Sequence, residues 1–415
     1  MGFVKHLECV SCGSTYPAGE HRYACAKCNG YLQVVFDIDR MKESLNRRDF
    51  QCRPQGIMER WLEFLPIEKP ELVPRVSLGE SVTPLIHARH LGQYLGLDNL
   101  FFKDETRFPT GSLKDRSMPL VVLKALEFGF SSVSIVSSGN AAASLSAYAA
   151  RAGLQAVVFV AGGRSARLAK CRSYGSMLIH VDAPYSEVEA LYLEARQAYG
   201  WYDCNGLINP FRLEGKKTLA HEVCQSLDWS VPDVVVMPTC FGNGLVSAWR
   251  GFLELEALGW CSGKPAVFGA QPEACGPIAR AFERGDRDVR PVAPALTVAT
   301  SIAVGDPSIG GKRVLEVAEQ SHGGVAGVSE ELILQAQALL ARKEGLFVEP
   351  AGAVGVAAII RLVSESRLSR EDIVVASITG EGLNDPDAIE PWAPSPHIVT
   401  PDMESLNALL KRIAS

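Results

Sequence analysis

The chain has 415 residues, of which 47% are apolar and 21% are charged, and its formal net charge is -6. A chain of this length is too long for a single compact core, so we expect two or three domains. The chain has no excess of basic residues, so nucleic acid is not an expected partner. No apolar run approaches the ~20 residues of a membrane span, so a membrane is not an expected partner either. The N-terminus also lacks the apolar core of a signal peptide, which favours a cytoplasmic location.

Two Cys-x2-Cys pairs lie near the N-terminus, Cys9 with Cys12 and Cys25 with Cys28. Four thiolates at this spacing can bind one tetrahedral zinc ion, and four protein ligands leave no open position for catalysis. A segment of about 35 residues cannot build a sufficient core alone, so such a zinc would be structural. We therefore predict a zinc-ribbon-like module over residues 1–40, with free thiols as the alternative. The seven cysteines from Cys52 onward are scattered among apolar residues, which is typical of reduced thiols.

The rest of the chain has the pattern of an α/β protein. Residues 41–76 are of mixed polarity and contain several prolines, which is typical of a linker with a packed helix. A strand-helix alternation then runs to residue 385, with short β-branched segments bounded by turn residues. The predicted strands are 100–103, 132–136, 156–160, 177–181, 234–237, 266–270 and 373–377. The predicted helices include 118–126, 141–151, 187–199 and 330–343. This order predicts a doubly wound architecture.

A lysine motif spans residues 108–116, where a Pro-Thr-Gly-Ser turn comes just ahead of Lys114. The apolar periodicity that follows predicts a helix, so the lysine stands near a helix start. There the helix dipole and the free backbone amides disfavour its charge, and a neutral amine is what a Schiff-base lysine requires. The bare pattern also fits a surface lysine at a helix start, so the evidence for a cofactor site must come from the other motifs.

Three further motifs each follow a predicted strand, which is where ligands bind in doubly wound sheets. They are Ser137-Ser138-Gly139-Asn140-Ala141-Ala142, Pro238-Thr239-Cys240-Phe241-Gly242-Asn243-Gly244-Leu245 and Ser377-Ile378-Thr379-Gly380-Glu381-Gly382-Leu383-Asn384-Asp385. In the second motif, alternate glycines before a helix let backbone amides close on a phosphate. No Gly-x-Gly-x-x-Gly pattern and no Walker lysine accompany it, so a dinucleotide or triphosphate site is not expected.

These motifs, in this order, resemble those of the fold-type II pyridoxal-phosphate (PLP) enzymes, and the lysine motif is similar to the Pro-Thr-Gly-Ser-Phe-Lys-Asp-Arg of threonine synthases. The resemblance implies that Lys114 binds pyridoxal 5'-phosphate and is the catalytic residue. It also implies that Asn140 contacts the phenolic oxygen of the ring and that Thr379 faces the pyridine nitrogen. The residues expected to bind the cofactor phosphate are Cys240, Phe241, Gly242, Asn243 and Gly244.

The fold class follows from the same resemblance. We expect an α/β fold-type II PLP enzyme with two doubly wound parallel-sheet domains and the N-terminal zinc-ribbon-like module. The large PLP-binding domain is predicted over residues 77–125 and 209–415, and a small α/β domain over residues 126–208 is inserted in it. Enzymes of this family are often dimers, so a homodimer is expected, with a small-molecule amino acid as the substrate.

Residues 209–218, Asn-Pro-Phe-Arg-Leu-Glu-Gly-Lys-Lys-Thr, are similar to a segment of threonine synthases. In this interpretation Arg212 clamps an anionic group of the substrate, because a guanidinium fits phosphate or carboxylate. The alternative is that Arg212 pairs with Glu214 or with a helix end. Residues 344–353 also resemble the family and are expected to shape a wall of the active site. The other expected substrate contacts are Ser112, Ser138 and Lys217.

The chain departs from the family pattern where polar side chains are common in relatives, at Ala141, Leu207, Gly244 and Ala303. Each lost charge-assisted hydrogen bond to a phosphate removes roughly 1.5–3 kcal/mol of binding. The donors that could compensate include Ser112, Ser138, Lys216 and Lys217.

The resemblance implies a threonine synthase-like lyase that converts O-phospho-L-homoserine and water to L-threonine and phosphate. Because of the departures, recruitment to β- or γ-replacement on another activated amino acid stays open, as in a cysteate synthase-like enzyme that uses O-phosphoserine. A serine or threonine dehydratase also stays open. A cofactor-binding homologue without catalysis is the remaining alternative, although the retained lysine and cofactor motifs argue against it.

Overall fold

The structure is a computed structural model that describes residues 2–161, 166–183, 185–206, 208–293 and 296–414. Leu207, one of the departures from the family pattern, lies outside these residues. No helix in the described ranges is both long enough and apolar enough to cross a membrane.

Within these ranges the strands are β1 Val4–Cys9, β2 Thr15–Tyr16, β3 Leu32–Phe36, β4 Leu85–His87, β5 Asn99–Asp104, β6 Ser132–Val136, β7 Gln155–Ala161, β8 Met177–Val181, β9 Tyr202–Asp203, β10 Val234–Pro238, β11 Ala266–Pro272, β12 Gly324–Val328 and β13 Ile373–Ile378. The α-helices are α1 Ile38–Ser44, α2 Ile57–Arg60, α3 Val73–Val76, α4 Arg89–Leu95, α5 Met118–Glu127, α6 Asn140–Ala152, α7 Ala166–Ser173, α8 Tyr185–Tyr199, α9 Arg212–Ser226, α10 Asn243–Ala257, α11 Pro277–Arg284, α12 Ser308–Gln320, α13 Glu330–Glu344, α14 Pro350–Ser364 and α15 Met403–Ala414.

The strands of the described residues form three sheets. A six-stranded sheet has the order β12-β11-β10-β13-β5-β4, in which all neighbours are parallel except β4 and β5. A four-stranded parallel sheet has the order β8-β7-β6-β9, and a small antiparallel sheet has the order β2-β1-β3. Helices cover most of the parallel strands, so these strands are apolar and buried on both faces, whereas β8 at the edge of the four-stranded sheet is partly exposed.

The fold class predicted from the sequence is confirmed. All seven predicted strands are present. Strands β6–β9 form the four-stranded sheet, and β4, β5 and β10–β13, which come before and after them in the chain, form the six-stranded sheet. The domain boundaries themselves stay a prediction. The sequence pattern does not predict β12, because two glycines in Gly-Val-Ala-Gly-Val weaken the signal of a strand.

The small antiparallel sheet packs on α9 and α10. Arg250 Nη2 donates to the carbonyl of Val34 at 2.8 Å, and Lys217 Nζ lies 3.7 Å from the centre of the Phe36 ring. Apolar residues of β1 and β3 belong to the same buried cluster as those of α9 and α10. The N-terminal module therefore shares its core with the large sheet and does not build one of its own.

A fully buried ion cluster anchors the lysine turn to the six-stranded sheet. Arg116 Nε lies 2.5 Å from Glu105 Oε2, and Arg116 Nη1 lies 2.7 Å from Glu222 Oε1. Lys103 Nζ on β5 lies 2.6 Å from Glu222 Oε2. Burial alone would raise the pKa of Glu222, but the charges of Arg116 and Lys103 hold it down to about 2.

We expect Glu222→Gln to lower the free energy of unfolding by about 3–5 kcal/mol at pH 7, because two buried cations then share one carboxylate. Folded Glu222 binds its proton near pH 2, whereas an unfolded glutamate does so near pH 4.3. The stabilisation is therefore complete above about pH 5 and is lost as the pH falls toward 2. Urea denaturation at pH 7 and pH 4 measures both effects. Glu404→Gln on the exposed side of α15 is the control, and equal stability of Glu222→Gln and the wild type at pH 7 would contradict the prediction.

Candidate active site

The lysine turn lies against the turn that follows β13, where β5 and β13 are paired in parallel. The amide of Leu113 donates to the carbonyl of Thr379 at 3.0 Å, and the amide of Glu381 donates to the carbonyl of Gly111 at 2.9 Å. Two of the four sequence motifs are thus joined by backbone hydrogen bonds at the carboxyl ends of the strands.

Lys114 is half-buried in a short 3-10 turn just ahead of α5. Burial lowers the pKa of its amine, against the effect of Cys240 and Glu349, and the guanidinium groups of Arg212 and Arg167 lower it further. The helix start predicted from the sequence is present, but burial is the chief cause of the lowered pKa. The consequence is a larger neutral fraction, which a nucleophilic amine needs.

Glu349, immediately before α14, is the centre of a polar network beside Lys114. Its Oε1 accepts hydrogen bonds from Asn140 Nδ2 at 2.9 Å and from Ser301 Oγ at 2.8 Å. Its Oε2 lies 3.0 Å from Arg167 Nη2, and the residue is 1% exposed. Glu349 is the N-cap residue of α14, but its side chain makes no capping hydrogen bond. Sequence reasoning placed the segment in the wall of the site and missed the role of this residue.

Helix α7 of the four-stranded unit carries two cations that contact loops of the six-stranded unit. Arg167 Nη2 lies 3.2 Å from Asp385 Oδ2, in addition to its contact with Glu349. Lys170 Nζ lies 3.2 Å from Glu381 Oε1 and donates to a further side chain of the same loop at 2.7 Å. The two units are thus linked beside the lysine turn. No sequence motif indicates these contacts.

The loop after β10 leads directly into α10, which begins at Asn243. Gly242 has a φ of +88°, and a Cβ there would lie 2.4 Å from Val314 Cγ2 and 2.9 Å from the carbonyl oxygen of Gly310. Only glycine fits this position. The first amides of α10 have no acceptor within the helix and no side-chain cap, and the helix dipole favours a negative group there. The loop therefore fits a phosphate.

Several buried polar atoms near these motifs have no hydrogen-bond partner within the described residues. They are Ser112 Oγ, Asn140 Oδ1, Arg212 Nε and Ser377 Oγ. Buried polar atoms are rarely left unpaired, so a ligand that completes their hydrogen bonds is expected here. Pyridoxal phosphate brings a phosphate, a phenolic oxygen and a ring nitrogen, and the residues present fit such a group.

Arg212 begins α9 and is 5% exposed. Its Nη1 donates to the carbonyl of Cys204, and burial lowers its pKa to about 10. The alternative partner considered from the sequence, Glu214, is engaged elsewhere, at 2.9 Å from Lys217 Nζ and 2.7 Å from Arg250 Nη1.

Lys217 does not lie with the other predicted substrate contacts. Its Nζ lies 2.6 Å from Glu254 Oε1 and above the ring of Phe36, on the side of α9 that faces the N-terminal module. This geometry disagrees with the expected substrate contact, because two carboxylates already surround the amine. Ser138 lies exposed in the turn between β6 and α6, close in sequence to Asn140.

The four N-terminal cysteines converge. Their sulfur atoms all lie within 4.8 Å of one another, with Cys9 and Cys25 buried and Cys12 and Cys28 exposed. Sulfur atoms about 3.8 Å apart suit a tetrahedral ion with bonds of about 2.3 Å, and the Cys9–Cys28 and Cys12–Cys25 separations are 3.5 and 3.6 Å. The group can therefore hold a metal ion.

Comparison with known proteins gives a consistent result. Residues 76–380 match the model of the family described as pyridoxal-phosphate dependent enzyme. The chain is 37% identical to the threonine synthase of Methanocaldococcus jannaschii over 407 residues, which cover 98% of this chain and 99% of that protein. It is 34% identical to the threonine synthase of Methanosarcina acetivorans, with 97% of each chain covered. The solved structure of diaminopropionate ammonia lyase from Escherichia coli has a TM-score of 0.65 at 17% identity, covering 80% of this chain and 97% of that one. That likeness shows the fold.

Two parallel-sheet units with a lysine turn at their strand ends define a fold-type II enzyme, and the chain belongs to the pyridoxal-phosphate-dependent enzyme family. Within that family it is a threonine synthase-like lyase, because full-length relatives of this kind share about a third of its residues.

We expect Arg167→Met to weaken the link between the two units, because it removes the cation that Glu349 and Asp385 share. Backbone amides of residues 166–173 and 380–385 should exchange hydrogen about tenfold faster, while β10 and β13 keep their protection. Hydrogen exchange followed by mass spectrometry measures this. Arg172→Met, on the exposed side of the same helix, is the matched control. Unchanged exchange in both segments would show that the contacts do not hold the units together.

Proposed function

We propose that the protein is a threonine synthase, which converts O-phospho-L-homoserine and water to L-threonine and inorganic phosphate. One observation carries the proposal. The lysine turn, a glycine loop at the start of α10 and a buried arginine with an unpaired nitrogen meet at the strand ends, in a chain similar to threonine synthases over its whole length.

In this proposal Lys114 Nζ would hold the cofactor, and its amine would move protons at the α and β carbons of the substrate. When bound, pyridoxal phosphate supplies an electron sink for the negative charge that develops on the substrate. Asn140 orients the ring through its side-chain amide, and residues 240–244 hold the phosphate. Thr379 would offer a neutral hydroxyl to the ring nitrogen, which would favour elimination and replacement at the side chain.

Arg212, Ser112 and Ser138 are the proposed contacts to the substrate. The guanidinium of Arg212 uses one nitrogen to donate to the Cys204 carbonyl, and its Nε is left unpaired for an anion. Ser112 Oγ is likewise buried without a partner in the described residues. Both atoms are donors, which is what a phosphate or carboxylate requires.

A second candidate function is replacement on another activated amino acid, or dehydration of serine or threonine. The observation that favours it is the apolar side chain at Ala141 and Ala303, because neither can donate to a substrate phosphate. Ser301 does not substitute for Ala303, since its hydroxyl already donates to Glu349 at 2.8 Å. A substrate with a smaller or uncharged leaving group would not need a hydrogen-bond donor at these positions.

We expect the purified protein to release phosphate and form threonine from O-phosphohomoserine, and Lys114→Ala to lose this activity by at least about a thousandfold, together with the visible absorbance of the lysine-bound cofactor. Spectra and product analysis with O-phosphohomoserine, O-phosphoserine, serine and threonine test this. Lys42→Ala, on exposed α1, is the control. Reaction with O-phosphoserine or serine alone would favour the second candidate, and normal turnover of Lys114→Ala would refute both.

We also propose that the four N-terminal cysteines bind one structural zinc ion. The convergence of their sulfur atoms supports this, as does the dependence of the small module on the core of α9 and α10. Metal analysis should find about one zinc per chain, and Cys12→Ser should lose it and lower the melting temperature. Cys52→Ser, another exposed cysteine, is the control. Full zinc content in Cys12→Ser would exclude this site. The homodimer and the cytoplasmic location stay predictions.

A further inference from the structure

Helix α9 carries two buried cations that lack a matching negative charge. Arg212 and Lys216 lie four residues apart, so their side chains leave the same face of the helix. Each is 5% exposed. Lys216 makes no ion pair and no hydrogen bond among the described residues, and Arg212 Nε is buried without a partner among them. A cation enclosed in protein without a partner is costly, so this pair requires an explanation.

The pair lies beside the lysine turn. A Cβ on Gly215 would lie 2.0 Å from the carbonyl oxygen of Arg116, so the backbone of α9 touches the chain two residues after Lys114. Burial lowers the pKa of Lys216, and the positive charges of Arg212 and Lys114 lower it further. Three basic side chains, of Arg212, Lys216 and Lys114, therefore lie around one region of the site.

The nearby carboxylates do not balance these cations, because each has another partner. Glu349 lies 3.0 Å from Arg167, and Asp203, close to Arg212, lies 2.6 Å from Arg196. The region therefore has a positive potential that an anion with two charges would balance.

We propose that Lys216, beside Lys114, is a further phosphate-binding residue and acts together with Arg212 on one phosphate monoester. The inference rests on the proposed function and deepens it, since Lys216 would supply a donor where Ala141 and Gly244 supply none. The phosphate is that of the substrate or that of the cofactor. Both have the same chemistry, and in the first case the two cations also stabilise the phosphate as it leaves the substrate.

The test compares Lys216→Gln and Lys216→Arg with the wild type in two arms. In the first arm, protein freed of cofactor is titrated with pyridoxal phosphate and with pyridoxal, which lacks the phosphate. In the second arm, protein with bound cofactor is titrated with O-phosphohomoserine and with inorganic phosphate, and the cofactor spectrum reports binding. Lys411→Gln, exposed on α15, is the control, and thermal melting verifies that each variant is folded.

We expect Lys216→Gln to weaken binding roughly 10- to 100-fold in one arm, and Lys216→Arg to keep most of the affinity, because a charge-assisted bond to phosphate is lost in the first variant only. A loss confined to the second arm identifies the substrate phosphate. A loss for pyridoxal phosphate but not for pyridoxal identifies the cofactor phosphate. Wild-type affinity of Lys216→Gln in both arms overturns the proposal.

The outcome is separable from that of the proposed function. If the wild type forms no threonine but Lys216→Gln weakens phosphate binding, the function fails and the role of Lys216 stands. If threonine is formed and neither arm changes, the role of Lys216 fails and the function stands.

Discussion

The position of Lys114 depends on the buried ion pairs of Arg116. A lysine in a loop between a strand and a helix would by itself be poorly fixed. Two residues later, Arg116 is held by Glu105 and Glu222 where no water competes, and one residue earlier the amide of Leu113 is bound to the turn after β13. A reactive amine must be placed within a fraction of an ångström to be effective. Here that accuracy comes from unscreened charges on one side and backbone hydrogen bonds on the other.

Glu349 fixes the position of side chains from both units of the molecule. Its carboxylate accepts from Asn140 of α6 and pairs with Arg167 of α7, which both belong to the four-stranded unit, and it also accepts from Ser301 of the other unit. Because Asn140 is also the proposed contact to the cofactor ring, a movement of one unit against the other changes the hydrogen bonding of that residue. Binding at the site and the separation of the two units are therefore coupled through one buried carboxylate.

Sequence patterns within a few residues predicted the strands and the lysine turn. They did not predict contacts between segments that are distant in the chain. The strands and the lysine turn have β-branched runs and turn residues that act within a few positions, whereas Glu349 and Arg167 meet only in the folded chain. Lys217 shows the limit most clearly. Residues 212–224 of α9 are all buried, so the helix has no polar face from which the direction of each side chain could be inferred. Adjacent lysines on such a helix point about 100° apart, so Lys217 contacts Glu254 whereas Lys216 is affected by the charges of Arg212 and Lys114.

The charge distribution around Lys114 bears on which leaving group the site accepts. The resemblance to threonine synthases predicts polar residues where this chain has Ala141 and Ala303, and a neutral donor of that kind can bind a hydroxyl as well as a phosphate. A buried guanidinium and a buried ammonium discriminate strongly, because a neutral leaving group would leave both charges unbalanced in the low-dielectric interior. A phosphate would balance them and would leave more readily beside them. The presence of Lys216 and Arg212 therefore favours a phosphorylated amino acid over serine or threonine as the substrate, although Ala141 and Ala303 donate no side-chain hydrogen bond to it.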